Sequence, residues 1–311
     1  MQSVLSLRVL MTAINLFPST RLLSQLSTKV VLTYLVITCL SSLQAAVQFK
    51  SLNANSNAKN KNSTSSIQGG LLLGKTLATN KVLLDNKPIR LATDGSFIIG
   101  FGRSAKDAEL RIITDTGIEK TQAINVLTRQ YKIDRIDGLP PAKVNPKGKA
   151  VLKRIKVEST LVKNARKTDH PRQDFKAGFI WPSKGRISGV YGSQRILNGQ
   201  PKWPHYGLDI AAPVGADVIA PASGVVTLVH LDMYYSGGTL ILDHGQGLSS
   251  TFLHLSEILV KPGQTIERGE LLAKVGATGR ATGPHLDWRI NWFSIRLDPQ
   301  LLVDGLSQDA R

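Results

Sequence analysis

The sequence predicts a mainly β protein: an N-terminal small antiparallel β-sandwich module followed by a C-terminal antiparallel β-sheet domain with a groove. Short apolar runs alternate with turn residues between Leu71 and Gln130. From Gly178 onward, Gly and Pro punctuate short β-rich segments, with no long amphipathic helix among them. Strands at such spacing favour packed antiparallel sheets over helical bundles or alternating βα units.

The chain of 311 residues is long enough for more than one domain. Residues 1–46 contain Arg8, Arg21 and Lys29 but no acid, then the apolar run Val30–Leu40 and the small residues Ala45 and Ala46. This is the pattern of a signal peptide, and the run is short against the roughly twenty apolar residues of a membrane span. No stable membrane span is expected after cleavage. The single cysteine, Cys39, would leave with that segment, so the mature chain needs no disulfide.

Residues 47–67, rich in Asn, Ser and Lys, read as a flexible tether. Residues 68–142 read as the β-sandwich accessory domain, with runs at Leu71–Gly74, Lys81–Leu84, Ile89–Leu91, Gly95–Gly102, Leu110–Ile113 and Gln122–Gln130. Residues 143–177 read as a basic helical linker, with Val151, Leu152, Ile155 and Leu161 spaced among cations over Val151–Arg166. Residues 178–303 form the C-terminal domain, and 304–311 a tail. Segments Gly192–Gly199 and Leu231–Gly237 are expected as groove-wall loops, with Tyr234, Tyr235, Trp288, Trp292 and Arg195 as candidate lining.

Charge is uneven. Residues 47–176 carry 25 Lys and Arg against 11 Asp and Glu, whereas 177–311 carry 11 of each. The excess is densest over 143–176, and for an exported chain it points to an anionic envelope polymer and not to nucleic acid.

The chemistry gathers in the last third. His205-Tyr-Gly-Leu-Asp209, His254 in Thr251-Phe-Leu-His-Leu, and His285-Leu-Asp287 hold three of the six histidines. On extended backbone His205 and Asp209 share a face, as do His285 and Asp287, so both pairs can converge. Gly207 and Pro213 favour a loop entering a strand over a helix here. A catalytic zinc usually takes three protein ligands, which His205, Asp209 and Asp287 would supply. His254 and His285 are then free to move protons or support an oxyanion. His170, His230 and His244 read as structural, His244 being the one with some prospect of lining the site.

The segment 178–303 resembles the lysostaphin-type (LytM-like) zinc endopeptidases of peptidoglycan. The resemblance rests on Phe179-Ile-Trp-Pro182, His205-Tyr-Gly-Leu-Asp-Ile-Ala-Ala-Pro213, Gly238-Thr-Leu-Ile-Leu-Asp-His-Gly245, His254-Leu-Ser and Thr282-Gly-Pro-His-Leu286. It implies an antiparallel fold with a groove, an exported location in the periplasm or cell envelope, and peptidoglycan as partner. It also implies that His205 and Asp209 match the first two zinc ligands, and His254 and His285 the two catalytic histidines. The family's last motif, His-x-His, is here His285-Leu-Asp287, so a carboxylate stands at the third-ligand place. One imidazole and two carboxylates would neutralise a divalent ion and soften the preference for zinc over manganese. The expectation is one Zn2+ per chain, with Mn2+ as an alternative, in an endopeptidase cutting peptidoglycan cross-link peptides. The competing reading is a non-catalytic cell-wall-binding module that recruits or activates another wall hydrolase.

Overall fold

In the computed structural model the described residues are 48–51, 65–136 and 148–303. The signal segment 1–46, the boundary at 137–147 and the tail 304–311 lie outside them.

The C-terminal domain is built on a ten-stranded sheet. Its main path runs Arg186–Gly189, Leu208–Ala211, His285–Trp292, Leu248–Ile258, Gly237–Gly245, Gly224–Met233 and Thr265–Ile266, all antiparallel. The central strands Gly237–Gly245 and Leu248–Ile258 are buried along nearly their whole length. One face of these strands turns Leu240, Leu242 and Phe252 into the core with Trp288 and Ile290. The opposite face, carrying Ile241, Asp243, Ser249 and Thr251, would be the groove floor, yet part of it is covered. His170 Nδ1 lies 2.8 Å from Asp243 Oδ2, and the His170 carbonyl accepts from Gln246 N at 2.8 Å.

The cover comes from the basic segment. Its helix, Lys149–Ala165, agrees with the expected one, but it is not a free linker. Arg154 donates to Glu158 Oε1 at 2.7 Å and to Asp232, while Glu158 Oε2 accepts from Tyr234 N at 2.9 Å. Lys149, Lys153, Lys156, Lys163 and Lys167 keep their exposure.

The accessory module holds a three-stranded sheet of Gln48–Ser51, Leu71–Lys75 and Ser96–Gly100 and a five-stranded sheet of Ser65–Ile67, Glu119–Leu127, Ala108–Ile113, Lys81–Leu84 and Lys87–Ile89. Phe97, Ile99, Leu110, Ile112 and Ile124 fill the space between them. Three details depart from the expectation. Both ends of the supposed tether are strands, because Phe49 is buried edge-on against Phe97 and Ser66 is buried beneath the parallel pair with Glu119–Leu127. The Gly192–Gly199 wall is not a loop: Gln194–Leu197 pairs in parallel with Ile133–Ile136, which sews the two modules together. The Leu231–Gly237 wall is mostly strand, as Gly224–Met233 runs to the tip of its hairpin. The modules also meet where Arg129 Nη1 reaches Asp298 Oδ2 at 2.8 Å, a pairing that holds two distant chain segments at the buried Asp298. Among the described residues no helix is long and apolar enough to cross a membrane.

Candidate metal centre

Register brings the candidate ligands together. Asp209 and Asp287 face each other across adjacent strands, with Leu253 opposite Asp287 on the next. Directly opposed residues on one face have side chains in contact, so two carboxylates meet at this point of the sheet. His205 enters from the loop before Leu208–Ala211, which is pinned by His205 N donating to the Ser193 carbonyl and Gly192 N to the His205 carbonyl, both at 2.7 Å. Its Nε2 lies 3.1 Å from Asp209 Oδ1 and 3.5 Å from Asp287 Oδ2.

Two glycines make the room. A Cβ on Gly207 would lie 2.0 Å from Asp287 Oδ1, and one on Gly189 2.2 Å from Asp209 Oδ2. No side chain fits at either place without displacing a candidate ligand.

The three donor atoms suit one divalent ion. Ligands at about 2.0–2.2 Å from a tetrahedral centre stand roughly 3–3.6 Å apart, the spacing His205 keeps to both carboxylates. Asp209 Oδ1 is buried, with His205 Nε2 at 3.1 Å and His285 Nε2 at 3.9 Å. Burial opposes a charged His205, but Asp209 and Asp287 outweigh it and raise its pKa to about 10. In the ion-free cluster the imidazolium proton thus takes the place of a cation.

His254 sits in a β-bulge. Gly238 pairs with Leu255 and Leu240 with Phe252, so Leu248–Ile258 carries one extra residue there. His254 has φ 64°, left-handed backbone that a residue with a Cβ seldom adopts. Such strain persists where surroundings fix it: His254 N donates to the Ser236 carbonyl and its Nδ1–H to the Thr278 carbonyl, both at 2.8 Å. The ring turns Nε2 toward the site, and burial lowers its pKa, which keeps it neutral. His285 donates its Nδ1–H to the Gly283 carbonyl at 2.8 Å, and its Nε2 lies 3.9 Å from Asp209 Oδ1. The two rings are 4.7 Å apart. The structure therefore brings all five expected residues into one cluster, and it tethers both histidines by Nδ1 so that Nε2 is available.

The other histidines are elsewhere. His244 is fully buried between the Ser223 carbonyl and Ser250 Oγ, and burial lowers its pKa to about 4. His170 pairs with Asp243 and His230 accepts from Asp232 N. Trp288 and Trp292 are core and not groove lining. Trp203, two residues before His205, is 88% exposed at the rim.

Arg289 was not anticipated. It lies two residues beyond Asp287 on the same strand face and holds the carboxylate with Nε at 3.0 Å from Oδ1 and 3.1 Å from Oδ2, and Nη2 at 2.5 Å from Oδ2. Desolvation alone would raise the Asp287 carboxyl, but the charges of Arg289 and His205 hold it well below the carboxylate range. The fork also corrects the charge expected from the sequence. With Arg289 counted, a divalent ion among His205, Asp209 and Asp287 keeps one unit of net positive charge, and is not neutralised. The i, i+2 spacing of Asp287 and Arg289 was the available signal.

The domain that carries this cluster is similar to known proteins. A model of the family described as peptidase family M23 matches residues 203–299. Over 87 residues, 28% of this chain and 20% of the relative, the sequence is 44% identical to the peptidoglycan DD-endopeptidase ShyB of Vibrio cholerae. It is 38% identical to ShyA of the same organism over 109 residues, 35% of this chain and 25% of the relative. The matched stretch thus spans a fifth to a quarter of those curated relatives. A crystal structure described as a peptidase M23 from Pseudomonas aeruginosa is 30% identical, with 77% of this chain and 96% of that chain covered and a TM-score of 0.59.

Proposed function

This chain belongs to peptidase family M23, and from that premise we propose that it is an exported endopeptidase that hydrolyses amide bonds in peptidoglycan cross-link peptides, using one divalent metal ion. The observation that carries the proposal is the convergence of His205 Nε2, Asp209 Oδ1 and Asp287 Oδ2 beside the paired rings of His254 and His285. The apolar run before Ala45 supports export to the periplasm or cell envelope, and zinc is the ion the nitrogen-and-oxygen set favours, with manganese second. The exposed lysines of the helix would add affinity for anionic wall polymer.

The ion, held by His205, Asp209 and Asp287, would supply Lewis acidity toward a water and the scissile carbonyl. The remaining chemistry belongs to the chain. His254, neutral and tethered by Nδ1, takes a proton from the attacking water at Nε2. His285, its Nδ1–H held by the Gly283 carbonyl, steadies the charge that develops on the carbonyl oxygen when Nε2 also carries a proton to donate. The proton held at His254 returns to the leaving amine. Arg289 keeps Asp287 ionised and oriented, a positioning role.

The second reading, a wall-binding module without catalysis, draws on the same Arg289, which already occupies three acceptor positions of Asp287. Digestion of purified sacculi separates the two. Metal-loaded protein should release cross-link cleavage products visible by mass spectrometry, and chelation should stop it. Binding to sacculi with no products under any metal would select the second reading.

A further inference from the structure

Beyond Arg289 the groove floor opens into a cavity of about 480 Å³ between the helix Lys149–Ala165 and the strands Leu248–Ile258 and His285–Trp292. Its walls are unusually cationic: Arg166, Arg289, Arg296, Lys163 and Lys167 line it, against one acid, Glu158. That acid is already engaged with Arg154 and with Tyr234 N.

Arg166 is 8% exposed. Its Nη2 donates to Thr251 Oγ1 at 2.9 Å, but its Nε is buried without a partner, and among the described residues no carboxylate pairs with it. Burial, with Arg296 and Arg289 nearby, pushes its pKa well below the usual guanidinium value. Arg296, partly buried beside it, also has no carboxylate in contact among the described residues. Its Nη1 reaches only the Asn291 amide oxygen, at 3.3 Å, and burial beside Arg289 lowers its pKa to about 10. Arg289 differs, since Asp287 answers its charge. The buried Arg166 faces a cavity with Nε unfilled and no carboxylate in contact, Asp287 acting on it only from a distance, so it lacks the acceptor that burial of a charge demands.

We propose that this cavity is a carboxylate-binding site anchored by Arg166 and Arg296, and that it takes an acidic group of the peptide lying along the groove. The planar guanidinium fork matches a carboxylate, and the exposed Lys163 and Lys167 at the rim draw anions inward. The choice of a peptide carboxylate over other oxyanions follows from continuity. Arg289 lines this cavity and grips the candidate ligand Asp287, so one extended peptide crossing the floor reaches both. The assignment of the occupant rests on the hydrolase reading, but the presence of an anion site does not.

The test therefore separates them. Calorimetric titration of the full chain with glutarate should show binding, while the neutral glutaramide should bind at least about ten-fold more weakly. Arg166→Met and Arg296→Gln should each weaken glutarate by about ten-fold or more. Arg166→Met should also fold normally by circular dichroism, because it removes an unanswered buried charge. Asp209→Ala, which disables the metal centre, should bind glutarate as the natural protein does. With a cross-linked peptide as substrate, replacing its carboxylates by carboxamides should raise KM more than it lowers kcat, and Arg166→Met should erase that discrimination. Equal affinity for glutarate and glutaramide, retained affinity in both arginine variants, or tighter binding of inorganic phosphate than of glutarate would overturn the carboxylate site. Glutarate binding with intact sacculi would instead leave the site standing and count against the hydrolase reading.

Discussion

The two ends of one groove floor handle buried charge in opposite ways. At one end Asp209, Asp287, His205 and Arg289 form a closed set, in which each ion has an opposite within hydrogen-bonding or near-contact distance. At the other, where the helix Lys149–Ala165 ends against the sheet, Arg166 is buried and Arg296 partly buried, and among the described residues neither has a carboxylate in contact. The first end can exchange its own imidazolium proton for a metal ion without help from outside. The second is incomplete until an anion arrives. A groove that combines them has one place for an electrophilic centre and another for an acidic handle, and the distinction is set by which cations the sheet pairs internally.

The largest effects should come from the chemistry itself. His254→Ala and His285→Ala should each lower hydrolysis by about 10²–10⁴-fold, the range of a lost proton-transfer or oxyanion group, with metal content by elemental analysis unchanged. A variant that loses both activity and metal would move that histidine into the ligand set.

Next in size is the Asp287–Arg289 pair. Arg289→Gln strands a buried carboxylate and should destabilise the ion-free protein by about 3–5 kcal/mol, measured by denaturant titration. Added metal should recover much of that loss, since it supplies the missing positive charge. Asp287→His alone leaves Arg289 a part-buried, unanswered cation beside the ion and should weaken zinc binding. Asp287→His combined with Arg289→Gln should restore it, so the pair should be non-additive in a double-mutant cycle. Additive effects would mean that the two side chains act independently.

Much of this arrangement could be read along the chain. The spacing of His285 and Asp287 places that pair on one strand face, His205 reaches Asp209 from the loop just before its strand, and the strand pattern after Gly178 supplies the sheet on which they meet. What was hidden depends on contacts distant in sequence. Nothing local shows that Arg166 folds back over Thr251, 85 residues away, or that Ile133–Ile136 pairs with Gln194–Leu197. The helix of the basic segment is legible in its apolar spacing, but exposed lysines on one side say nothing about what the other side rests on. The bulge at His254 was equally invisible, as no glycine marks its left-handed backbone. Arg289 is legible in the chain, since its two-residue step from Asp287 puts both on one strand face, as it does His285 and Asp287.

A smaller, pH-dependent effect sharpens the contrast. His205 is raised from 6.5 to about 10 in the ion-free cluster, so near neutral pH it must release a proton to become a ligand. Apparent metal affinity should rise about ten-fold per pH unit from neutrality and level off near pH 10, with one proton released per ion bound. Stability of the ion-free protein runs the other way: the His205 contribution is fully present below pH 6.5 and is lost as pH rises through about 10.

The central claim is that Asp287, though gripped by Arg289, completes a single metal centre with His205 and Asp209. Zinc titration of the ion-free protein beside Asp209→Ala and Asp287→Ala tests it most directly. One ion per chain, with affinity reduced by about 100-fold or more in both variants, is the expected result. Full affinity in Asp287→Ala, with loss only in Asp209→Ala, would contradict it and leave Asp287 as the counter-ion of Arg289 alone.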